Sequence, residues 1–257
     1  EALDLSLVIP VYNEEDNLAA LAAEIRAALD PTGLDYEVLF IDDGSRDGSF
    51  ACLQALAVAD PRVVAIRFRR NYGQTAAFAA GFDYARGCVV VTLDADRQND
   101  PADIPALLAK LNEGYDVVNG WRQNRQDNLV RRFPSRVANW LIAETSGVHL
   151  KDRGCSLRAF RHEVVDDLNL YGELHRFIPE LVNFAGFSMA EVPVNHRARV
   201  AGASKYGLSR TFRVILDLFT IHFLRKYGDR PMQLFGRWGI ILFALGALIG
   251  GYLTALK

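Results

Sequence analysis

What most limits the folds open to this chain is an alternation of period along its first half. Five apolar runs suit β-strands: LSLVIPVYN from Leu5, YEVLFIDDGS from Tyr36, RVVAIRF from Arg62, CVVVTLDAD from Cys88 and YDVVNG from Tyr115. Between them lie stretches with helical spacing, over 14–29 (Leu18, Leu21, Ile25 and Leu29 on one face), 47–59, 73–86 and 101–113, the last with Pro101 at its start. A β-α-β-α series of this kind predicts an α/β fold, a Rossmann-like, mostly parallel sheet with helices on both faces. The strands read as continuous apolar runs, as doubly covered strands do.

In such sheets ligands bind beyond the carboxyl ends of the strands. Polar residues gather at those ends here: Asn13 and Glu14, Asp42 and Asp43, Asn71, Asp94 and Asp96, and Arg122. Packing alone does not explain five decorated ends in succession. The sharpest case is VVVTLDADRQNDP, where a hydrophobic strand runs into Asp94, Asp96 and Asp100. Like charges this close raise one another's pKa unless a cation compensates. Read as a continuing strand, Asp94 and Asp96 point to one side, and Gln98 adds a carbonyl. An all-oxygen set suits Mg²⁺ or Mn²⁺, and Mg²⁺ draws much of its shell from phosphates and water. The cluster therefore predicts a divalent cation and a phosphorylated ligand. Asp100, just before Pro101, reads as a helix cap.

The second half is less regular. A basic polar loop covers 123–136 and a helix is expected over 134–145. SLRAFRHEVVDDL reads as a short strand then a helix, and SMAEVPVNHRARV as a late strand with its exit. Residues 210–226 are amphipathic with a basic face, which fits either a helix lying in a membrane interface or an ordinary packed helix. Residues 238–256 pass without a charge. As a helix they reach roughly 28 Å, close to the bilayer core, with Gly246, Gly250 and Gly251 tolerated better in a span than in a soluble helix. Arg197, Arg199, Lys205, Arg210, Arg213, Arg225, Lys226, Arg230 and Arg237 precede it against only Asp217 and Asp229. That bias places the preceding domain in the cytoplasm. The N-terminus has no signal-peptide pattern. The GxxxG-like spacing of Gly246 and Gly250 permits a homo-oligomer.

The net charge of -2 argues against nucleic acid as a partner. Cys52, Cys88 and Cys155 show no zinc spacing, and Cys52 and Cys88 read as buried small hydrophobes of a reducing compartment. His149, His162, His175, His196 and His222 have no metal-ligand spacing. There is no P-loop, and the missing GxGxxG fingerprint disfavours a nicotinamide oxidoreductase.

Taken in order, VIPVYNEEDNL, FIDDGSRDGS, RNYGQTAAFAAGFDYARG and LDADRQNDP resemble the family 2 glycosyltransferases of GT-A fold. NGWRQNRQDNLVRRFPSRVANWLI, DRGCSLRAF, LHRFIPELV and AGASKYGLSRTFRVILDLF, followed by a span, narrow the resemblance to the polyprenyl-phosphate type. That group includes dolichol-phosphate mannose synthase and bacterial undecaprenyl-phosphate glucosyltransferases. The resemblance covers nearly the whole chain. Bacterial members often carry two spans, and the sequence here stops after one.

The resemblance implies roles. Pro10, Tyr12, Glu14 and Asp42 would hold the nucleoside of a nucleotide sugar, and Asp94, Asp96 and Gln98 the metal on its diphosphate. Arg199, Ser204 and Lys205 would close over that diphosphate. Arg122, Ser135 and either Arg131 or Arg132 would bind the lipid phosphate, which an arginine fork grips in pairs of oxygens. Asp152 would serve as an orienting carboxylate. The implied reaction is inverting transfer of a hexose-type sugar, from a UDP-sugar, to undecaprenyl phosphate at the inner membrane, yielding a lipid-linked sugar donor for the cell envelope. Alternatives are a GDP-mannose-dependent mannosyltransferase and an inactive membrane scaffold that binds nucleotide sugar. A processive synthase lacks support, because Gln233, Arg237 and Trp238 miss the QxxRW spacing. The implied organisation is a catalytic domain over 1–198, a basic juxtamembrane segment over 199–231 and a transmembrane helix over 232–257.

Overall fold

The computed structural model describes residues 3–123, 148, 150–197, 220, 223, 226–228 and 230–256. The chain divides into two compact units, Glu1–Lys205 and Tyr206–Lys257. The helix expected over 134–145 and most of the amphipathic stretch over 210–226 lie outside the described residues.

The first unit is built on a sheet of seven strands: β1 (Leu3–Val11), β2 (Tyr36–Asp42), β3 (Val63–Arg67), β4 (Gly87–Thr92), β5 (Val117–Arg122), β6 (Arg158–Arg161) and β7 (Met189–Val194), in the order β3-β2-β1-β4-β6-β5-β7. Pairing is parallel throughout except around β6, which runs antiparallel to both β4 and β5. The sheet is thus mostly parallel, as expected, with a single reversed strand.

Side chains alternate between two covered faces. Leu5, Leu7, Ile9 and Val11 of β1 meet Leu18, Leu21, Ile25 and Leu29 of α1 (Glu15–Leu29), with Leu53 of α2 (Ser49–Ala59) and Ile104, Leu107 and Leu111 of α4 (Ile104–Leu111) in the same cluster. Val8, Leu39 and Ile41 turn the other way. They meet Ala77, Phe78 and Phe82 of α3 (Gln74–Tyr84), Val164 and Val165 of α5 (His162–Asp167), and Ile178 and Val182 of α6 (Ile178–Phe184). All seven residues of β2 are buried, its apolar core together with Glu37, which pairs with Arg86 (2.5 Å), and Asp42 at its end. The small residues of α3 have a steric cause. A Cβ built on Gly81 would sit 2.1 Å from Val8 Cγ1, so only a side-chain-free position lets α3 lie this close to β1.

Two expectations need correction. Cys88 is exposed, because it lies one residue before the β4–β6 register begins at Val89 and nothing covers it there. Strand β4 stops at Thr92 rather than running through Asp96; Leu93 N makes a last bond to Val8 O (3.3 Å) and the chain then turns. Asp100 does cap, its Oδ1 accepting from Ala102 N at 3.0 Å at the start of the 3-10 turn Pro101–Asp103 that precedes α4.

In the second unit α7 (Pro231–Ala255) has 25 residues, a mean hydropathy of 1.8 over its most apolar window and no buried residue. Thr254 Oγ1 donates back to Gly250 O (2.9 Å) and Gly251 O (2.8 Å), so its hydroxyl is satisfied within the helix. By length and composition α7 can cross a bilayer.

Candidate active site at the carboxyl edge of the sheet

Strands β1 to β5 end on one edge, and there their exit loops are tied to each other. Asn13, in a left-handed conformation (φ 57°), receives Arg46 N on its Oδ1 (2.8 Å) and donates its own N–H to Ser45 Oγ (3.0 Å). Glu14 N donates to Ser49 Oγ (2.9 Å), and Glu14 Oε2 accepts from Asn17 Nδ2 (2.6 Å). The loops leaving β1 and β2 therefore form one lip. It carries half-buried Pro10, Tyr12 and Glu14 and fully buried Asp42. Asp42 accepts from Ser45 N (3.0 Å) and pairs with Arg67 Nε (3.4 Å), while Arg67 lies over the Phe50 ring at 4.4 Å. Gly44, Ser45, Arg67, Phe68 and Arg69 line an open cleft beside this lip. Gly44 is obligatory, since at φ +68° a Cβ would lie 2.5 Å from the Arg70 backbone.

The second feature is the turn after β4. Asp94 Oδ2 accepts from Ser156 Oγ (2.6 Å) and Oδ1 from Gln74 Nε2 (2.8 Å). Ser156 Oγ in turn accepts from Asn99 Nδ2 (2.6 Å). Asp96 is 7% exposed, and its Oδ1 receives Gln98 N at 3.1 Å. The turn is made by Arg97, whose φ of 60° is uncommon outside glycine. Arg97 is pinned by Glu24 of α1 (2.5 Å), which also holds Arg197 (2.7 Å). Arg197 donates its N–H to Gln98 O (2.9 Å) and pairs with Asp100 (2.8 Å). Burial raises the pKa of Asp94, the neighbouring Asp96 raises it further, and the Ser156 bond with Arg158 and Arg122 at a distance only partly offset this.

Beyond β5, Arg122 and Asp152 form a two-pronged ion pair, Nε to Oδ2 at 2.5 Å and Nη2 to Oδ1 at 2.9 Å. Gly154 N adds a bond to Asp152 Oδ1 (3.1 Å), and a Cβ at Gly154 would come within 3.0 Å of the guanidinium. Both residues are nearly sealed, with side-chain exposures of 13% and 2%. Behind them Arg158 is buried on β6 and donates Nη2 to Arg153 O (2.9 Å), and Arg153 Nε lies 3.5 Å from Glu180 Oε1. Burial lowers the pKa of Arg158 and raises that of Glu180. The reversed strand explains the assembly. Because β6 runs against its neighbours, the residues before it, Asp152 to Leu157, arrive at the same edge where β4 and β5 end.

The structure thus brings together Asp94, Asp96 and Gln98 on one turn, Arg122 with Asp152 on another, and Pro10, Tyr12, Glu14 and Asp42 on the lip. Arg131, Arg132, Ser135, Arg199, Ser204 and Lys205 lie outside the described residues. Sequence reading did not single out Gln74, Ser156, Asn99, Glu24, Arg158 or Glu180. Each is an unremarkable residue type within a segment, and only the fold shows what it touches.

The donor chemistry around Asp94 and Asp96 fits a hard divalent cation. Two carboxylates adjoin, and the hydrogen-bond donors on Asp94 are neutral, so its charge is not cancelled by direct contact. Among the described residues no group of three or more His, Cys, Asp or Glu side chains converges. A cation held here would complete its shell from phosphate and water, as Mg²⁺ does.

The sheet order and both helical layers define the GT-A α/β fold. A solved structure of glucosyl-3-phosphoglycerate synthase from Mycobacterium tuberculosis, in complex with Mn²⁺, uridine-diphosphate and phosphoglyceric acid, superposes with a TM-score of 0.67 at 19% identity, over 87% of this chain and 78% of that one. At that identity the likeness concerns the fold. Residues 6–168 match the family described as glycosyl transferase family 2. The dodecaprenyl-phosphate galacturonate synthase of Rhizobium johnstonii is 43% identical over 98% of this chain and 76% of its own length. An undecaprenyl-phosphate 4-deoxy-4-formamido-L-arabinose transferase of Shewanella sediminis is 42% identical over 98% and 75%. The chain belongs to glycosyltransferase family 2 and, within it, to the polyprenyl-phosphate sugar transferases.

Proposed function

We propose that this enzyme moves a sugar from a nucleotide sugar, a UDP-sugar, to undecaprenyl phosphate with inversion at the anomeric carbon. The observation that carries the reading is the Asp94–Asp96 turn facing, across β6, an arginine already oriented by a carboxylate. The lip of Pro10, Tyr12, Glu14 and Asp42 holds the nucleoside. Asp94, Asp96 and Gln98 would hold Mg²⁺ or Mn²⁺, and when bound that ion would supply charge neutralisation to the departing nucleoside diphosphate. Arg199, Ser204 and Lys205 add to the same stabilisation. Arg122, with Ser135 and one of Arg131 and Arg132, orients the lipid phosphate, while Asp152 fixes the plane of the Arg122 fork. A phosphate with a second pKa of about 6 is already ionised near neutrality. It needs alignment rather than a base.

The organisation follows as a catalytic domain over 1–198, a basic segment over 199–231 and a membrane helix over 232–257. The basic residues before α7 support a catalytic domain on the cytoplasmic side of the inner membrane. The sugars named for the two relatives, galacturonate and 4-deoxy-4-formamido-L-arabinose, extend the candidates beyond a plain hexose.

The test is nucleotide release from UDP-galacturonate, UDP-4-deoxy-4-formamido-L-arabinose, UDP-glucose and GDP-mannose, with Mg²⁺ or Mn²⁺, with and without undecaprenyl phosphate. Turnover of one UDP-sugar that needs both metal and lipid supports the reading and names the donor. Turnover of GDP-mannose alone replaces the donor assignment. Donor binding without lipid-dependent turnover sinks the proposed reaction.

A further inference from the structure

Four consecutive residues leading into α3, 72–75, tie it to three places: Asp43, Asp94 and the turn before α6. Tyr72 N and Gly73 N donate to the two oxygens of Asp43, at 2.6 and 2.9 Å, just beyond β2. Gln74 Nε2 donates to Asp94 Oδ1 at 2.8 Å, beyond β4. Thr75 Oγ1 bonds His175 Nδ1 at 2.6 Å, in the turn before α6. Gly73 has φ +95°, which lets the chain swing from Asp43 into the helix within one residue.

The bond to Asp94 is half of a two-sided grip. Gln74 holds one carboxylate oxygen from α3, and Ser156, itself held by Asn99, takes the other from the segment before β6. With both oxygens fixed, the carboxylate cannot rotate about its last bond without losing a partner. Both grips are neutral. A lysine or arginine there would orient the group equally well but would cancel the charge on which a cation depends.

We propose that Gln74 is a positioning residue for divalent-cation binding: it fixes the Asp94 carboxylate, with Ser156 as its counterpart, without neutralising it. The inference rests on the reading of Asp94 and Asp96 as the cation-binding pair.

The experiment is a Mn²⁺ titration of the full chain in detergent with UDP present, following free Mn²⁺ by electron paramagnetic resonance. Gln74→Ala should weaken Mn²⁺ binding about tenfold, the size expected for losing a hydrogen bond to a charged group. Ser156→Ala should shift it in the same sense. In steady state both should raise the Mn²⁺ concentration for half-maximal rate while leaving the KM for undecaprenyl phosphate unchanged. Thr75→Val, which breaks the neighbouring bond in the same turn, should leave Mn²⁺ affinity unmoved and so separates positioning from loss of helix structure. Mn²⁺ affinity within twofold of wild type in both Gln74→Ala and Ser156→Ala overturns the proposal. Asp94→Asn and Asp96→Asn report on the underlying reading separately: if they too leave Mn²⁺ binding intact, the cation site itself is misplaced.

Discussion

Two aspartates on one edge of the sheet are held by opposite chemistry. Asp94 is gripped by a glutamine amide and a serine hydroxyl, both neutral. Asp152 is gripped by the fork of Arg122, with charge meeting charge along two parallel bonds. The first arrangement keeps a negative charge available in a confined place, where burial and Asp96 already strain its ionisation. The second spends a carboxylate to orient a guanidinium. On the function proposed above, the difference teaches how the halves of the site would divide the work: one side would receive a cation, the other present one.

If that contrast is right, removing each charge should have a different signature. Asp94→Asn should cut transfer by a factor on the order of 10² to 10³, as losing a group that helps stabilise developing charge does. Its thermal midpoint should hold or rise, because the repulsion from Asp96 is relieved. A large fall in both would mean Asp94 is structural and would erase the contrast. Asp152→Asn should behave otherwise. It removes the charge that meets the nearly buried Arg122 along two bonds, which should cost about 3 kcal/mol of unfolding free energy alongside activity. Urea denaturation checks this, and stability equal to wild type would show that Arg122 had not relied on Asp152.

A smaller effect concerns the wall behind Asp94. Burial, reinforced by Arg176 and Arg158, lowers His175 from 6.5 to about 4. Between those values the unfolded chain binds a proton that the folded chain refuses, so stability falls as pH drops from about 6.5 towards 4. Between pH 7 and pH 5 the loss from this group should be about 2 kcal/mol. His175→Asn should flatten that part of the profile, and an unchanged slope would place the titration elsewhere. The smallest effect is expected at Glu24, where two arginines share one partly exposed carboxylate. Glu24→Gln should cost under about 1 kcal/mol in a thermal melt, while raising backbone exchange at Arg97 and Gln98 by hydrogen–deuterium measurement.

The same contrast marks what could be read from sequence. Asp94, Asp96 and Arg122 were legible because charges at the ends of apolar strands violate the pattern around them. Strand and helix order was legible from period, and so was the long apolar helix. Gln74 and Ser156 were not, since a polar residue in a helix's first turn or in a loop fits its local surroundings and its partner is distant in sequence. Nor was the direction of β6. RAFR has the same pattern whichever way it runs, and the reading through Asp96 as strand overlooked that β4 loses its β1 partner after Thr92. Cys88 was misread for a related reason, since burial near a strand's start depends on whether a neighbour reaches that far, and β6 pairs only from Val89 on.

The reversed strand has a consequence for how such enzymes change. Strand β5 ends and β6 begins at the same edge, so the connection between them starts and finishes there. Chain inserted or removed there alters neither strand order nor register, and the entropic cost of a longer loop grows only slowly. The scaffold can therefore keep its sheet constant while the stretch between β5 and β6 changes, much as a tool keeps its handle when the head is exchanged.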